Sequence, residues 1–370
     1  MKARLFPRLF LLLLLAACAK PQLATSTQGE NTAVVTRPTR PAATAVSTPP
    51  AQTPTQDLAE LLPTPTDQPA NEPAAYILFS INVQDFTYPA ESAASLDKII
   101  TLHEETAVPV DIYLTDAMAQ IFADDYPDLL ARLQNSPAVA VSYHTRPPRP
   151  YASANDWLGL QRMNADDLYN TILRYETHAV DPVTGETTDA PGGYQQVAAL
   201  IGYPPYAASA LSGNPDVNTA VWQVFRDLGA RMTVTHGGAP ALGDTRGGLL
   251  LRPEQVDYRL FEHVGEDAGQ AFEAALAEAQ SKQQGDAPVF VGVKMHDNDF
   301  FATQSAWVTI YVQDRKRPPW NPTLQAPPLS PAEQEAVWAL YEATVRHVAA
   351  QNGQALPVNL PQVLAMIDGE

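Results

Sequence analysis

The sequence predicts an α/β fold in which about seven parallel strands, with helices between them, close into a barrel. Segments typical of buried strands, such as AAYILFSINV and APVFVGVKMHD, alternate along the chain with segments of helical periodicity, such as NADDLYNTILRYETHAV. Polar side chains follow the ends of several of these strands, on the face where barrel proteins carry their chemistry. A segment rich in proline and threonine precedes the first strand.

The start of the chain is typical of a secretory signal peptide. MKARLFPRLFLLLLLAACAK has a basic beginning and a leucine run too short to span a bilayer. The string LAAC, which ends at Cys18, resembles the lipobox of bacterial lipoproteins, and Cys18 is the only cysteine of the chain. We expect residues 1–17 to be removed and the lipidated Cys18 to anchor an extracytoplasmic protein to a bacterial membrane. An ordinary secretory signal with a chance cysteine is the alternative.

Residues 18–74 are predicted to form a disordered tether. They are rich in Thr, Pro, Ala, Ser and Gln and show no apolar periodicity, so they cannot bury enough apolar surface to offset the entropy of ordering. The formal net charge of −18 argues against nucleic acid and anionic polymers as partners. Residues 75–370 must be held together by core burial, which a domain of this size can supply, and we expect a monomer.

The elements of the domain follow from apolar patterning and end signals. Asn164 is placed to cap one helix and Gly229 to close another, and one strand, around VAALIGYPPY, is poorly marked. The other predicted strands are AAYILFSINV, VPVDIYLTD, AVAVSYHT, ARMTVTH and APVFVGVKMHD. The predicted helices are SAASLDKIITLHEET, DDYPDLLARLQNS, NADDLYNTILRYETHAV, NPDVNTAVWQVFRDLGA, AFEAALAEAQSKQQG and SPAEQEAVWALYEATVRHVAAQNG.

Side chains suited to metal or acid–base chemistry stand where predicted strands end. Asp85 follows the first strand, and His144, His236 and His296 end three later ones. Because strand C-termini meet on one face of a barrel, we expect these side chains to converge there. Converging imidazole and carboxylate groups can hold a divalent metal or transfer protons. Capping and hydrogen-bonded loop residues are the alternative.

Four segments in order, SINVQDF, SYHTRPPRPY, YPPY and VKMHD, resemble the motifs of the polysaccharide deacetylase (NodB-homology) family, which belongs to a glycoside hydrolase/deacetylase superfamily. The resemblance implies a distorted (β/α) barrel and the removal of acetyl groups from a glycan by water activated on a divalent metal such as zinc. It implies that Asp85 and His144 bind the metal, that Asp85 takes part in catalysis, and that His296 is the general acid. His236 is no part of the family pattern, and its position alone makes it a further candidate ligand.

Three positions depart from the family pattern. Gln84 stands where the family has a catalytic base, Pro148 where it has a second histidine ligand, and Tyr203 where it has the arginine that orients the base. Glutamine cannot accept a proton at working pH, and proline cannot bind a metal. The missing base and the missing arginine agree with each other, which indicates one coordinated loss or change of mechanism.

Aromatic and arginine side chains near these loops are candidate contacts to a sugar. Aromatic faces stack on pyranose rings, and guanidinium groups pair with hydroxyls and carboxylates. Trp307 belongs to a long insertion that is predicted to form either a lid or sugar platform, or a surface loop over the barrel wall. The predicted substrate-binding residues are Tyr143, Arg146, Tyr151, Tyr206 and Trp307.

Three functions stay open at this point. The first is a membrane-anchored, metal-dependent deacetylase that acts on a cell-wall or extracellular glycan. The second is a carbohydrate-binding lipoprotein on the same barrel without catalysis. The third is a glycoside hydrolase that uses Asp85 with Asp297 or Asp299, for which two carboxyl groups about 5–10 Å apart are required. The distances among Asp85, His144, His236 and His296 are the most useful observation for discriminating among the three.

Overall fold

The computed structural model describes residues 75–152, 156–210, 212–235, 238–351 and 353–369. The predicted signal peptide, Cys18 and the tether lie outside these residues, and so does His236. None of the helices in the described ranges is long and apolar enough to cross a membrane.

A curled, mostly parallel sheet forms a half-barrel at the centre of the fold, which confirms the predicted α/β class and distorted (β/α) barrel. The strands are β1 (Ala75–Val83), β2 (Val110–Leu114), β3 (Val139–His144), β4 (His178–Val180), β5 (Thr187–Pro191), β6 (Ala207–Ser209), β7 (Met232–Thr233), β8 (Thr245–Arg246), β9 (Leu249–Leu251), β10 (Val256–Arg259), β11 (Phe290–His296) and β12 (Ala355–Pro357). The order in the sheet is β10-β11-β1-β2-β3-β6-β7-β9-β8, and β12 pairs with β1. Only β8 and β9 pair antiparallel there, and β4 and β5 form a separate antiparallel hairpin.

Helices cover the outer face of the sheet and one end of the barrel. They are α1 (Pro89–Thr106), α2 (Asp116–Asp125), α3 (Pro127–Asn135), α4 (Ala165–Thr177), α5 (Gly193–Ile201), α6 (Pro215–Asp227), α7 (Ala268–Ser281), α8 (Pro331–Ala349) and α9 (Leu360–Asp368). The predicted cap of α4 is confirmed, because the Asn164 side chain accepts from the amide of Asp167. Gly229 follows α6 with a φ of 105°, a left-handed conformation that glycine adopts without strain.

Two sequence predictions of local structure were wrong. The helix expected over DDYPDLLARLQNS is divided into α2 and α3, because Pro127 has no amide hydrogen with which to continue α2. The strand expected around VAALIGYPPY is helix α5, and the strand that follows it is β6. Val197 and Ile201 are buried four residues apart, the spacing of one helical face.

The interior of the barrel changes from apolar to polar along the strands. At the strand N-termini, Leu78 and Phe290 pack against side chains of α9. Farther along β1, Ser80 and Asn82 face the interior, while alternate residues of the same strand pack against the outer helices. The polar part contains two ion pairs, Arg252–Glu254 at 2.9 Å and Lys294–Asp257 at 2.6 Å.

Asp111 is a buried carboxyl group that joins β2 to the start of α9. Its Oδ1 accepts from the amide of Leu360 at 3.1 Å. Burial raises the pKa of Asp111 to about 7, although the Leu360 amide and the charge of Arg252 lower it in part. Asp111 therefore ionises at a lower pH in the unfolded chain than in the folded chain. Its ionisation lowers the free energy of unfolding as the pH rises from about 4 to about 7.

We expect Asp111→Asn to remove this pH dependence. The asparagine oxygen can still accept from Leu360, but the side chain no longer ionises. Relative to the variant, the wild type should lose on the order of 3 kcal/mol of unfolding free energy between about pH 5 and about pH 8. Urea unfolding of both proteins at the two pH values measures the difference. Parallel profiles would contradict the assignment.

Candidate functional site

A cavity of about 430 Å³ opens beyond the C-terminal ends of β1, β2 and β3. Its walls are the loop after β1, helix α2, the loop after β3, the β4–β5 hairpin and the segment 305–324. The volume is that of a pocket for a small ligand, and the position is the strand-end face that the sequence predicts. Lining residues used below are Gln84, Asp116, Gln120, Asp124, Asp125, Arg146, Gln196, Trp307 and Tyr311.

Three side chains form what we call the Arg146–Gln84–Trp307 unit in the cavity wall. Arg146 Nε donates a hydrogen bond to Gln84 Oε1, and the guanidinium carbon lies over the Trp307 ring at 4.9 Å from its centre. Gln84 Nε2 donates to Asn298 Oδ1 at 3.2 Å, which fixes the amide. Burial lowers the pKa of Arg146 to about 9, and the charge of Asp297 opposes this in part. The unit thus places a fixed cation beside an aromatic face.

The insertion that carries Trp307 packs around a small apolar cluster of its own. Trp320 is 4% exposed and contacts the rings of Tyr311 and Trp157, with centroids 5.2 Å and 5.7 Å away. The Tyr311 hydroxyl donates to the Pro182 carbonyl at 3.2 Å, so the insertion is joined to the β4–β5 hairpin. Within this arrangement Trp307 is part of the cavity wall.

Asp85 connects the end of β1 to the insertion. Its Oδ1 accepts from the amide and the hydroxyl of Thr87 at 3.1 Å and 2.6 Å, and its Oδ2 accepts from the amide of Ala306 at 2.9 Å. The residue is 0% exposed, and burial raises its pKa, although these hydrogen bonds lower it in part. Both oxygens of the predicted metal ligand therefore accept hydrogen bonds from the protein, and Oδ2 joins the loop after β1 to the insertion.

Asp297 holds the same loop from the β11 side. Its Oδ2 accepts from the amides of Gln84 and Asp85 at 3.1 Å and 3.0 Å and from the Ser92 hydroxyl at 2.5 Å. Burial and the charge of Asp85 raise the pKa of Asp297 to about 6, although these hydrogen bonds lower it in part. Asp85 and Asp297 are neighbours, but neither lines the cavity. Neither carboxyl group is therefore part of the cavity surface.

The two histidines of the family motifs lie on strands separated by β1 and β2. His144 is buried in the polar part of the barrel interior, 3.4 Å from the Ser209 carbonyl through Nδ1. His296 is partly exposed, and its Nδ1 lies 3.0 Å from Asp299 Oδ2. Asp299 therefore orients the ring of His296. Neither imidazole lines the 430 Å³ cavity.

Two of the predicted sugar contacts, Tyr143 and Tyr151, lie in the core below the cavity and are 0% exposed. The Tyr151 hydroxyl donates to Glu176 Oε1 at 2.6 Å. Tyr206 precedes β6 and therefore lies near the N-terminal end of the sheet, where its ring contacts Tyr203 at 5.3 Å. Of the five predicted sugar contacts, the structure brings Arg146 and Trp307 together at the cavity.

The donor set present does not fit the metal site that the resemblance implies. No group of three or more His, Cys, Asp or Glu side chains is placed to hold a metal ion among the residues with a described position. Asp85 is occupied by amide and hydroxyl donors, and Gln84 is bonded to Arg146 and Asn298. His236, the remaining candidate ligand, lies outside the described residues.

The sequence interpretation missed Asp116, Gln120 and Gln196 as residues of the cavity wall. Asp116 directly follows β2 in the segment VDIYLTD, so the strand-end rule that selects Asp85 would also select it. Gln120 lies one helical turn farther along α2 on the same face, and Gln196 donates to it at 2.8 Å. Gln196 carried no usable signal, because α5 was predicted as a strand.

No family model and no curated protein match the chain. Among solved structures, it is similar to 4-alpha-glucanotransferase from Thermococcus litoralis (TM-score 0.47, 11% identity), with 79% of this chain and 40% of that chain covered. It is also similar to Puue allantoinase (TM-score 0.47, 11% identity), with 80% of this chain and 92% of that chain covered. A third similar structure is the peptidoglycan deacetylase PdaC from Bacillus subtilis (TM-score 0.37, 8% identity), with 80% of this chain and 92% of that chain covered.

Proposed function

We propose that this domain binds a glycan in the cavity beyond β1, β2 and β3 without hydrolysing it. The Arg146–Gln84–Trp307 unit is the observation that carries the proposal, because it holds an aromatic ring and fixed polar groups together in one wall of the cavity. A sugar ring has an apolar face that stacks on an aromatic ring and a rim of hydroxyls that pairs with amides, guanidinium groups and carboxylates. Gln120 and Gln196 extend the polar part of the wall.

The partners of Asp85 support binding without hydrolysis. Deacetylation requires a group that activates water and a group that polarises the acetyl oxygen. Asp85 accepts hydrogen bonds through both oxygens, and the neighbouring position, predicted for the base, holds the amide of Gln84. These contacts agree with the departures from the family motifs at Gln84, Pro148 and Tyr203.

We expect the full chain to bind neutral or acidic oligosaccharides in titration calorimetry, and Trp307→Ala to weaken that binding about tenfold. Trp222→Ala is the matched control, because Trp222 lies on α6 beneath Arg246, away from the cavity. Acetate release from acetylated oligosaccharides is measured in parallel. Turnover that is lost in Asp85→Asn would overturn the proposal in favour of the deacetylase, and a panel of glycans with no binding would overturn it outright.

A further inference from the structure

We propose that Arg146 receives a carboxylate, so that the cavity takes a sugar ring that carries one carboxyl group, as in a uronic acid. This inference rests on the proposed function and specifies the chemical class of the glycan. It starts from a difference between Arg146, which is partly buried, and the fully buried cations, which have carboxylate partners within the protein.

Buried cations of the described barrel are paired. Arg149 contacts Asp116 at 2.7 Å, Arg252 contacts Glu254 at 2.9 Å, and Lys294 contacts Asp257 at 2.6 Å. Pairing is the rule because an unpaired charge loses its hydration without compensation. The ion pairs formed by the residues with described positions do not include Arg146, which is partly buried between Gln84 and Trp307. A carboxylate from outside the chain would give Arg146 the direct partner that it lacks among the described residues.

The geometry leaves the terminal nitrogens of Arg146 for that partner. Nε is used by Gln84 Oε1, and the Trp307 ring covers one face of the guanidinium group. Within the described part of the chain, Nη1 and Nη2 make no hydrogen bond, and Arg146 lines the cavity. A carboxylate accepts two parallel hydrogen bonds from such a guanidinium edge, which is the strong, directional form of this interaction.

The carboxylates around the cavity limit the ligand to one negative charge. Asp116 is bonded to Arg149 and to the amide of Gly193, and Asp297 accepts from four donors behind the wall. Asp124 and Asp125 are exposed at the rim of the cavity. The inner wall thus presents the edge of the Arg146 guanidinium group, and the rim carries two carboxylates. A sugar ring with one carboxylate fits this arrangement, with the carboxylate at Arg146 and the hydroxyls at the rim. A polyanion would be repelled by the rim carboxylates and by the net charge of −18.

Two disaccharides that differ only at one terminal ring test the inference: one ends in glucuronic acid and the other in glucose. Titration calorimetry on the full chain should give at least about tenfold tighter binding of the acid. Arg146→Gln should abolish this preference, and Arg146→Lys should keep part of it. Arg132→Gln, a change in an ion cluster on α3, should leave it intact. The preference should shrink as salt is added.

The outcomes separate the two proposals. If the neutral disaccharide binds as tightly as the acid, or if Arg146→Gln keeps the preference, the carboxylate is excluded while glycan binding stands. If neither disaccharide binds and no neutral glycan binds either, both proposals fail. If the acid is preferred and the preference depends on Arg146, the inference is supported. Thermal unfolding of each variant identifies any loss of binding that comes from misfolding.

Discussion

Replacing Arg149 with methionine is expected to lower the free energy of unfolding by about 3–5 kcal/mol. Arg149 forms two hydrogen bonds with Asp116, at 3.0 Å and 2.7 Å, and lies 3.8 Å from Glu176. All three residues are buried. Burial by itself raises the pKa of Asp116, but the charge and the hydrogen bonds of Arg149 outweigh it and the pKa is lowered. Without the guanidinium group, two buried carboxylates would lose their counter-charge.

Arg132→Met is the matched control for this prediction. Arg132 pairs with Asp97 at 2.5 Å and with Glu104 at 2.6 Å, but Asp97 is 61% exposed. Exposed ion pairs contribute up to about 1 kcal/mol, because solvent and salt screen them. Denaturant unfolding of the wild type and both variants measures the difference. Equal effects of the two substitutions would show that the buried network contributes no more than the surface cluster.

The sequence predicts the barrel because apolar runs and helical periodicity alternate along nearly the whole domain. The sequence also predicts that the loops after β1 and β3 lie on the same face of the barrel. In the structure both loops border the cavity. Arg146 and Trp307 are 161 residues apart along the chain and still belong to one cavity. The rule that strand C-termini share one face is sufficient to predict that the loops after β1 and β3 lie close together. The sequence left the insertion open between a lid or sugar platform and a surface loop, and in the structure Trp307 lines the cavity.

Strand geometry could have refined the list of sugar contacts. Successive side chains of a strand point to opposite faces, so Tyr143 and His144 cannot both face the barrel interior. In the structure His144 faces it, and Tyr143 packs outward against Tyr194 and Phe225. Tyr206 precedes its strand and so lies at the opposite end from the cavity. Alternation and strand direction are thus sufficient to separate both tyrosines from the cavity on the sequence alone.

The role of Asp85 could not be read from the sequence, because it depends on a long-range contact. Its Oδ2 accepts from the amide of Ala306, which lies 221 positions later in the chain. Every residue except proline has a backbone amide hydrogen, so the identity of Ala306 does not show that its amide donates to Asp85. The sequence around Asp85 therefore looks the same whether the carboxylate faces a metal or a loop. Gln84 was different, since an amide in place of a base already indicated a changed site.

Gly292 is the position where the smallest substitution is expected to have a large effect. It lies on β11, in the polar part of the barrel, against the Arg252–Glu254 pair. A β-carbon built on Gly292 would lie 2.1 Å from Glu254 Oε2 and 2.8 Å from Arg252 Nη2. Both side chains are buried, so neither can move into solvent without separating the pair. Strand β11 needs glycine here because the ion pair occupies the space of a side chain.

We therefore expect Gly292→Ala to cost about 3 kcal/mol or more of unfolding free energy, since it combines overpacking with a disturbed buried ion pair. Gly213→Ala is the control, because a β-carbon there meets nothing within 4 Å. This control should keep or slightly raise stability, as an alanine reduces the freedom of the unfolded chain. Urea unfolding of both variants measures the contrast. A Gly292→Ala protein as stable as the control would mean that the ion pair can move aside, and that the barrel interior is less tightly packed than the contacts of Gly292 indicate.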